Sequence, residues 1–229
     1  MGISEIHGNI FTTKAQTIVN TINCVGVMGA GIALEFRLRE PEMFRRYTLL
    51  CDQGRLAPGI LWLYRSTYPQ VLNFPTKTDW KQPSRVEYLE QGLQKFCDTY
   101  KDKEISSIAF PLIGADKGGL SEELSRSVMR RYLEPLKDLH VEIYSYDPYA
   151  SDDVFNDLKQ LILSRDIASL MEATGITKER LAIITSEVNS GRICQIGQLG
   201  AVKGIGVGTL EKLFALKGNQ LPLSQKSLF

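Results

Sequence analysis

Lys77 closes the run Asn73-Phe74-Pro75-Thr76-Lys77, and its amine is the group on this chain best placed by type to do covalent chemistry. A protonated amine is a poor nucleophile, but desolvation or nearby positive charge lowers its pKa until it can attack an electrophilic carbon or pass on a proton. In isolation a lysine in Thr76-Lys77-Thr78-Asp79 reads as a solvated turn residue, so its neighbours decide. Two glycine-rich loops are those neighbours. The first runs Val19-Asn20-Thr21-Ile22-Asn23-Cys24-Val25-Gly26-Val27-Met28-Gly29-Ala30-Gly31-Ile32-Ala33, an apolar strand followed by two asparagines and a glycine loop entering a helix. The second is Gly114-Ala115-Asp116-Lys117-Gly118-Gly119, again after a strand and before a helix. Glycine lets backbone approach a ligand, and the N–H groups at a helix start favour phosphate. Each loop alone could be a tight strand-to-helix turn. Two at the C-terminal ends of strands point instead to a diphosphate clamp, because open α/β sheets bind ligands at that edge. Neither loop fits a P-loop or the dinucleotide fingerprint.

The elements that carry these loops alternate. Ser4 to His7, Thr17 to Ile22, Ile60 to Tyr64, Val71 to Asn73, Ser107 to Phe110 and Val141 to Tyr146 read as strands, with helices between them, the α/β signature. Pro41 to Leu50 suits a helix opened by proline. Ser84-Arg85-Val86-Glu87 has capping-box spacing ahead of a helix to Tyr100, and Ser121 to Leu136 is amphipathic. Beyond Asp147-Pro148 the patterns are helical only. The boundaries expected are therefore 1–150 for the α/β domain, 151–217 for a helical domain and 218–229 for a flexible tail.

Bulk properties narrow the class. Among 229 residues, 27 Lys and Arg against 26 Asp and Glu leave a formal charge of +1, too little to hold the protein on nucleic acid by charge alone. No stretch reaches the length of a membrane span and the N-terminus lacks a secretory pattern, so a cytoplasmic protein without membrane association is expected. Cys24, Cys51, Cys97 and Cys194 are widely spaced, which suits reduced structural thiols. His7 and His140 have no companions at metal-ligand spacing.

Gly8-Asn9-Ile10, Asn20 to Asn23, the Val25 to Ile32 loop, Asn73 to Lys77 and Pro111 to Leu120 together resemble the macrodomain family over about residues 1–150. Asn-Cys-Val-Gly-Val-Met-Gly with Asn-Phe-Pro-Thr-Lys is similar to its DarG-type branch, antitoxins that remove ADP-ribose from DNA bases modified by a DarT toxin. The resemblance implies a three-layer α/β/α macrodomain with a mixed sheet, followed by a small all-α C-terminal region. It implies ADP-ribosyl glycohydrolase activity on DNA with Lys77 catalytic, no cofactor and no metal, and a DarT-like toxin as partner. ADP-ribose would be held by Asn9 and Ile10 near the adenine, by Asn20 and Asn23 on the distal ribose side, by Val27, Met28, Gly29, Gly31 and Ile32, and by Thr76. The second loop would contribute Gly114, Ala115, Asp116, Lys117, Gly118, Gly119 and Leu120, and Tyr146 or the nearby Tyr149 would lie at the adenine end. A related lysine hydrolase has aspartate where Gly118 stands, so no aspartate-assisted mechanism is implied. A non-catalytic ADP-ribose reader and a hydrolase of protein or small-molecule ADP-ribose esters are the competing readings.

Further features concern nucleic acid. Trp80 and Arg85 follow Lys77 closely, and an aromatic beside a cation suits stacking and phosphate contact, although a capping hydrophobe and a helix-start charge would look the same. Ile196 to Leu213 resembles a helix-hairpin-helix in which Lys203, Gly204 and Gly206 would meet backbone phosphate, with Lys212 adding charge. Leu170 to Thr177 would equally open a helix-turn-helix, and a helical bundle that packs on protein is a third reading. Gln225-Lys226-Ser227-Leu228-Phe229 resembles a sliding-clamp pentapeptide, with Lys226 in place of the usual leucine.

Overall fold

A computed structural model describes residues 2–218, so the pentapeptide Gln225 to Phe229 lies outside the described residues. The chain divides into two compact units, the second beginning at Tyr149. In the first, strands β1 (Ile3–Gly8), β2 (Thr17–Ile22), β3 (Trp62–Tyr64), β4 (Gln70–Pro75), β5 (Ser107–Pro111) and β6 (His140–Tyr146) form one sheet in the order β1-β6-β5-β2-β4-β3. All neighbours pair parallel except β3, which runs antiparallel to β4 at one edge.

A parallel sheet must be covered on both faces, and the β2 sequence reflects this. Val19 points into a core with Leu89, Leu93 and Phe96 of α3 (Val86–Thr99) and Val128 and Met129 of α4 (Glu122–Leu133). Ile18 and Ile22 point to the other side, where Phe36 of α1 (Gly31–Arg39) and Met43 and Tyr47 of α2 (Pro41–Asp52) close the third layer. In α3 a Cβ on Gly92 would sit 2.2 Å from the Phe74 ring, so glycine there sets how closely helix and sheet approach.

Two local expectations need correction. Ser84 does not cap α3: the N-cap is Arg85, without a side-chain cap bond, and the buried Ser84 hydroxyl has no hydrogen-bond partner among the described residues. Its amide donates instead to the carbonyl of Gly118 (2.8 Å), which fixes Ser84 to the second glycine loop rather than to its own helix. The strand expected from Ile60 begins only at Trp62, after a turn in which the Ile60 amide bonds to Ala57. Ser121 does cap α4, accepting from the Leu124 amide at 3.2 Å. That helix stops at Leu133, and Pro135 just beyond it has no amide hydrogen with which to continue the helical ladder.

The second unit carries α5 (Asp153–Leu163), α6 (Ile167–Thr174), α7 (Lys178–Asn189), the short α8 (Ile196–Leu199) and α9 (Val207–Gly218). Phe155, Leu158, Ile162, Leu170, Leu181, Ile184, Val188, Leu210 and Leu213 are among its buried apolar residues. Asp152 ties the start of α5 to the start of α8: one carboxylate oxygen caps α5 at the Phe155 amide (3.2 Å) and the other accepts from the Ile196 amide (3.4 Å).

Candidate functional site

At the C-terminal ends of β2, β4 and β5 three chain segments converge. Asn23, which is 7% exposed, organises the first of them. Its Oδ1 accepts from the amides of Val25 (3.0 Å) and Val27 (3.3 Å) and from the Tyr47 hydroxyl (2.9 Å), while its Nδ2 donates to the Val27 carbonyl. The asparagine thus holds the loop's own backbone and does not itself project from it. Met28 is wholly buried in the α1/α2 core and anchors the loop from beneath. Gly26 (φ 79°), between these two anchors, and Gly31 (φ 56°), just beyond Met28, take up left-handed backbone, and Gly29 and Gly31 are exposed. Helix α1 starts behind Ala30, which offers no side-chain acceptor, so the amides of Gly31, Ile32 and Ala33 are left for an anion.

Lys77 joins the other two segments. The Thr76 amide donates to Ile22 (2.9 Å), the Cys24 amide to Thr78 (3.2 Å), and the Cys24 thiol to the Lys77 carbonyl (3.2 Å), so the lysine backbone is laced to the first loop. Burial and the neighbouring Cys51 push the Cys24 thiol up to about 11, which keeps it a neutral donor. The Lys77 Nζ donates to the carbonyl of Lys117 at 2.5 Å. Partial burial holds its pKa below the ordinary lysine range, and no carboxylate lies within ion-pair distance of it among the described residues.

The second loop is shaped by Gly114 (φ 74°), Asp116 (φ 45°) and Gly119 (φ 84°). The Leu120 amide closes it onto the Gly114 carbonyl (3.1 Å). Its residue Lys117 reaches the first loop, since a Cβ on Gly31 would lie 3.6 Å from Lys117 Cγ. Gly118 is buried against Ser84, whose Oγ would stand 2.7 Å from a Cβ at that position. An aspartate there would require the buried Ser84 side chain to shift. Asp116 is highly exposed and pairs with Lys117 Nζ at 3.5 Å, so neither position offers Lys77 a carboxylate partner. Ala115 and Leu120 are half-buried in this loop and Thr76 is buried beside Lys77.

At the other end, the register sets Gly8 beside Tyr146, which is 60% exposed, and brings Asn9 and Ile10 next to it. Asn9 caps the short 3-10 turn Ile10–Thr12, accepting from the Phe11 amide at 3.0 Å. Asn20 departs from expectation. It is fully buried, and its Nδ2 bonds to Asn73 Oδ1 (2.9 Å) across the β2–β4 pair beneath Met43, so it braces the sheet under the loop instead of lining a ribose. Trp80 and Arg85 are exposed on the segment after Lys77, whereas Lys203, Gly204 (φ 90°) and Gly206 lie in the second unit between α8 and α9. Lys212 is engaged there by the Gly175 carbonyl (3.0 Å), at the C-terminus of α6, and is no free cation for phosphate. Sequence reading missed Tyr47 altogether and the loop contacts made by Ser84 and Cys24, which depend on distant segments.

A sheet edge with two facing glycine loops, an uncapped helix start between them and a half-buried lysine at their junction is the macrodomain arrangement, and the chain belongs to the macrodomain family. The family profile described as "Macro domain" matches residues 19–129. Within it the chain is similar to a DNA ADP-ribosyl glycohydrolase of Thermus aquaticus, 36% identical over 147 residues, which are 62% of this chain and 40% of that protein. A solved structure described as the macrodomain of Thermus aquaticus DarG matches with a TM-score of 0.60 at 33% identity, covering 62% of this chain and 97% of that one. A DNA ADP-ribosyl transferase-DNA ADP-ribosyl glycohydrolase fusion protein of Thermosipho africanus is 30% identical over 161 residues, 62% of this chain and 41% of the relative. The Thermosipho africanus DarTG structure in complex with ADP-ribose matches with a TM-score of 0.60 at 31% identity, covering 64% of this chain and 42% of that one. The chain thus spans less than half the length of these curated relatives.

Proposed function

We propose that the chain hydrolyses the glycosidic bond between ADP-ribose and a nucleic-acid base in DNA. The observation that carries this reading is Lys77: an amine kept below the ordinary lysine range by burial, at the junction of two loops suited to a diphosphate-sugar. The bond broken joins the anomeric carbon to the base; water supplies hydroxyl to the carbon and a proton to the departing base. Lys77 acts at that carbon, and the uncapped amides of α1 together with the 114–119 loop hold the diphosphate. Similarity to proteins named DNA ADP-ribosyl glycohydrolases supports the substrate assignment.

The fusion of transferase and glycohydrolase in the Thermosipho relative supports a DarT-like toxin as the source of that substrate, with this chain as its antitoxin in the cytoplasm. In the second unit Lys203 and the backbone around Gly204 and Gly206 contact DNA phosphate, and Gln225 to Phe229 dock on a sliding clamp. Deleting the last five residues should then abolish capture by purified clamp.

The test of the reaction is parallel incubation with an oligonucleotide carrying base-linked ADP-ribose and a protein carrying ester-linked ADP-ribose. Release of free ADP-ribose from the oligonucleotide supports the reading. Release from the ester alone makes it an ester hydrolase, and tight binding without release makes it a reader.

A further inference from the structure

We infer that the segment from Trp80 to Arg85 is a preformed platform on which Trp80 stacks a nucleobase of single-stranded DNA beside the site, while Lys81 and Arg85 meet the flanking phosphates. The inference rests on the DNA reading proposed above, because it assigns the strand on either side of the modified base.

The segment is held at both ends by bonds to the catalytic loops. Upstream, the Thr78 carbonyl accepts from Cys24; downstream, the Ser84 amide donates to Gly118, and Ser84 occupies the space that a Gly118 side chain would fill. Asp79 sets the turn between them, its carboxylate accepting from the Lys81 amide (2.9 Å) and its carbonyl from the Gln82 amide (3.2 Å). Asp79 is thereby turned toward backbone, and Trp80 stands at the tip with 52% of its surface exposed.

The half-exposed indole, on a loop tied down this closely, belongs to neither hydrophobic core cluster of the first unit among the described residues. Its chemistry is that of a stacking surface, which accepts any base because every base has a π face. Lys81 Nζ lies 5.5 Å from the Trp80 ring and Arg85 Cζ 5.7 Å from the Tyr88 ring, so two cation–aromatic pairs follow one another along the segment. Neither cation is ion-paired to a carboxylate among the described residues, which leaves both charges for phosphate. Trp80 follows Lys77 by three residues on this tied segment, so a strand whose modified base reaches Lys77 has its neighbouring nucleotide within reach of the indole.

The test uses the full chain and a single-stranded DNA of about nine nucleotides without ADP-ribose. In a Trp62→Phe background Trp80 is the sole tryptophan, and its fluorescence, excited where tyrosine does not absorb, should be quenched saturably by the single strand and less by duplex. By anisotropy of labelled DNA, Trp80→Ala should weaken binding roughly fivefold to a hundredfold, Trp80→Tyr should recover most of it, and Lys81→Gln with Arg85→Gln should flatten its salt dependence. ADP-ribose affinity should stay unchanged in all of them. In turnover of the modified oligonucleotide, Trp80→Ala should raise KM and spare kcat. Unchanged DNA affinity in Trp80→Ala, equal quenching by duplex, or a matching loss of ADP-ribose affinity overturns the platform. Failure of the wild type to release ADP-ribose defeats the glycohydrolase reading instead, and the binding results still decide the platform.

Discussion

In the proposed reaction Lys77 acts at the anomeric carbon as a neutral amine or a readily surrendered ammonium, and its surroundings work toward that. Burial lowers its pKa from the ordinary 10.5, no described carboxylate opposes the shift, and its hydrogen-bond partner is a neutral carbonyl. The neutral fraction grows as pH rises through the pKa. A nucleophilic Lys77 therefore gives kcat that climbs with pH and levels off below that ordinary value, and a steady fall across the same range would instead make it a proton donor. Asn23 holds the first glycine loop in shape, so its expected effect is on affinity rather than on the bond broken. With its amide gone, the Val25 and Val27 amides and the Tyr47 hydroxyl lose their common partner, so Asn23→Ala should weaken ADP-ribose binding by about tenfold or more in calorimetry. The meeting of Lys77 with the second glycine loop follows strand-to-loop patterns that are local in the sequence. The place of Asn20 was not legible there, since its burial depends on facing Asn73 in the β2–β4 register, which no local pattern states.

At the scale of elements, the junction of α1 and α2 stores a titration. Glu40 ends α1 and precedes Pro41, and burial raises its carboxyl from the ordinary 4.5 to about 7. Between those values the folded chain holds a proton that the unfolded chain has lost, so stability falls as pH rises through that window. Glu40→Gln should raise the melting temperature at about pH 8 and change it little at about pH 4. In α3, Gly92→Ala should lower stability by about 1–3 kcal/mol or more in chemical denaturation, because the Phe74 ring occupies the space of the new methyl group. Most element positions followed from hydrophobic period and from proline or serine at helix starts. The missed cap has a cause outside its own segment. Ser84 has the sequence of a cap, yet its amide is bound by Gly118, a partner more than thirty residues away that spacing cannot reveal.

For the whole molecule, the first unit contains both glycine loops, Lys77 and cores on both faces of its sheet. Residues 1–148 expressed alone should therefore fold and retain hydrolysis, while DNA affinity drops and loses part of its salt dependence if the second unit contacts phosphate; unchanged affinity would assign that unit another role. The switch from alternating strands and helices to helices alone after Asp147-Pro148 made this division readable, but which helices of the second unit face a partner depends on packing. The central claim is that this chain removes ADP-ribose from DNA through Lys77. Its most direct test is a single-turnover assay in which purified wild type and Lys77→Ala are mixed with base-ADP-ribosylated single-stranded DNA and free ADP-ribose is followed by mass. Complete release by the wild type and none by the variant, with ADP-ribose affinity equal in both, is the result predicted here. Equal release by the two proteins would contradict the role of Lys77, and release by neither would contradict the enzyme.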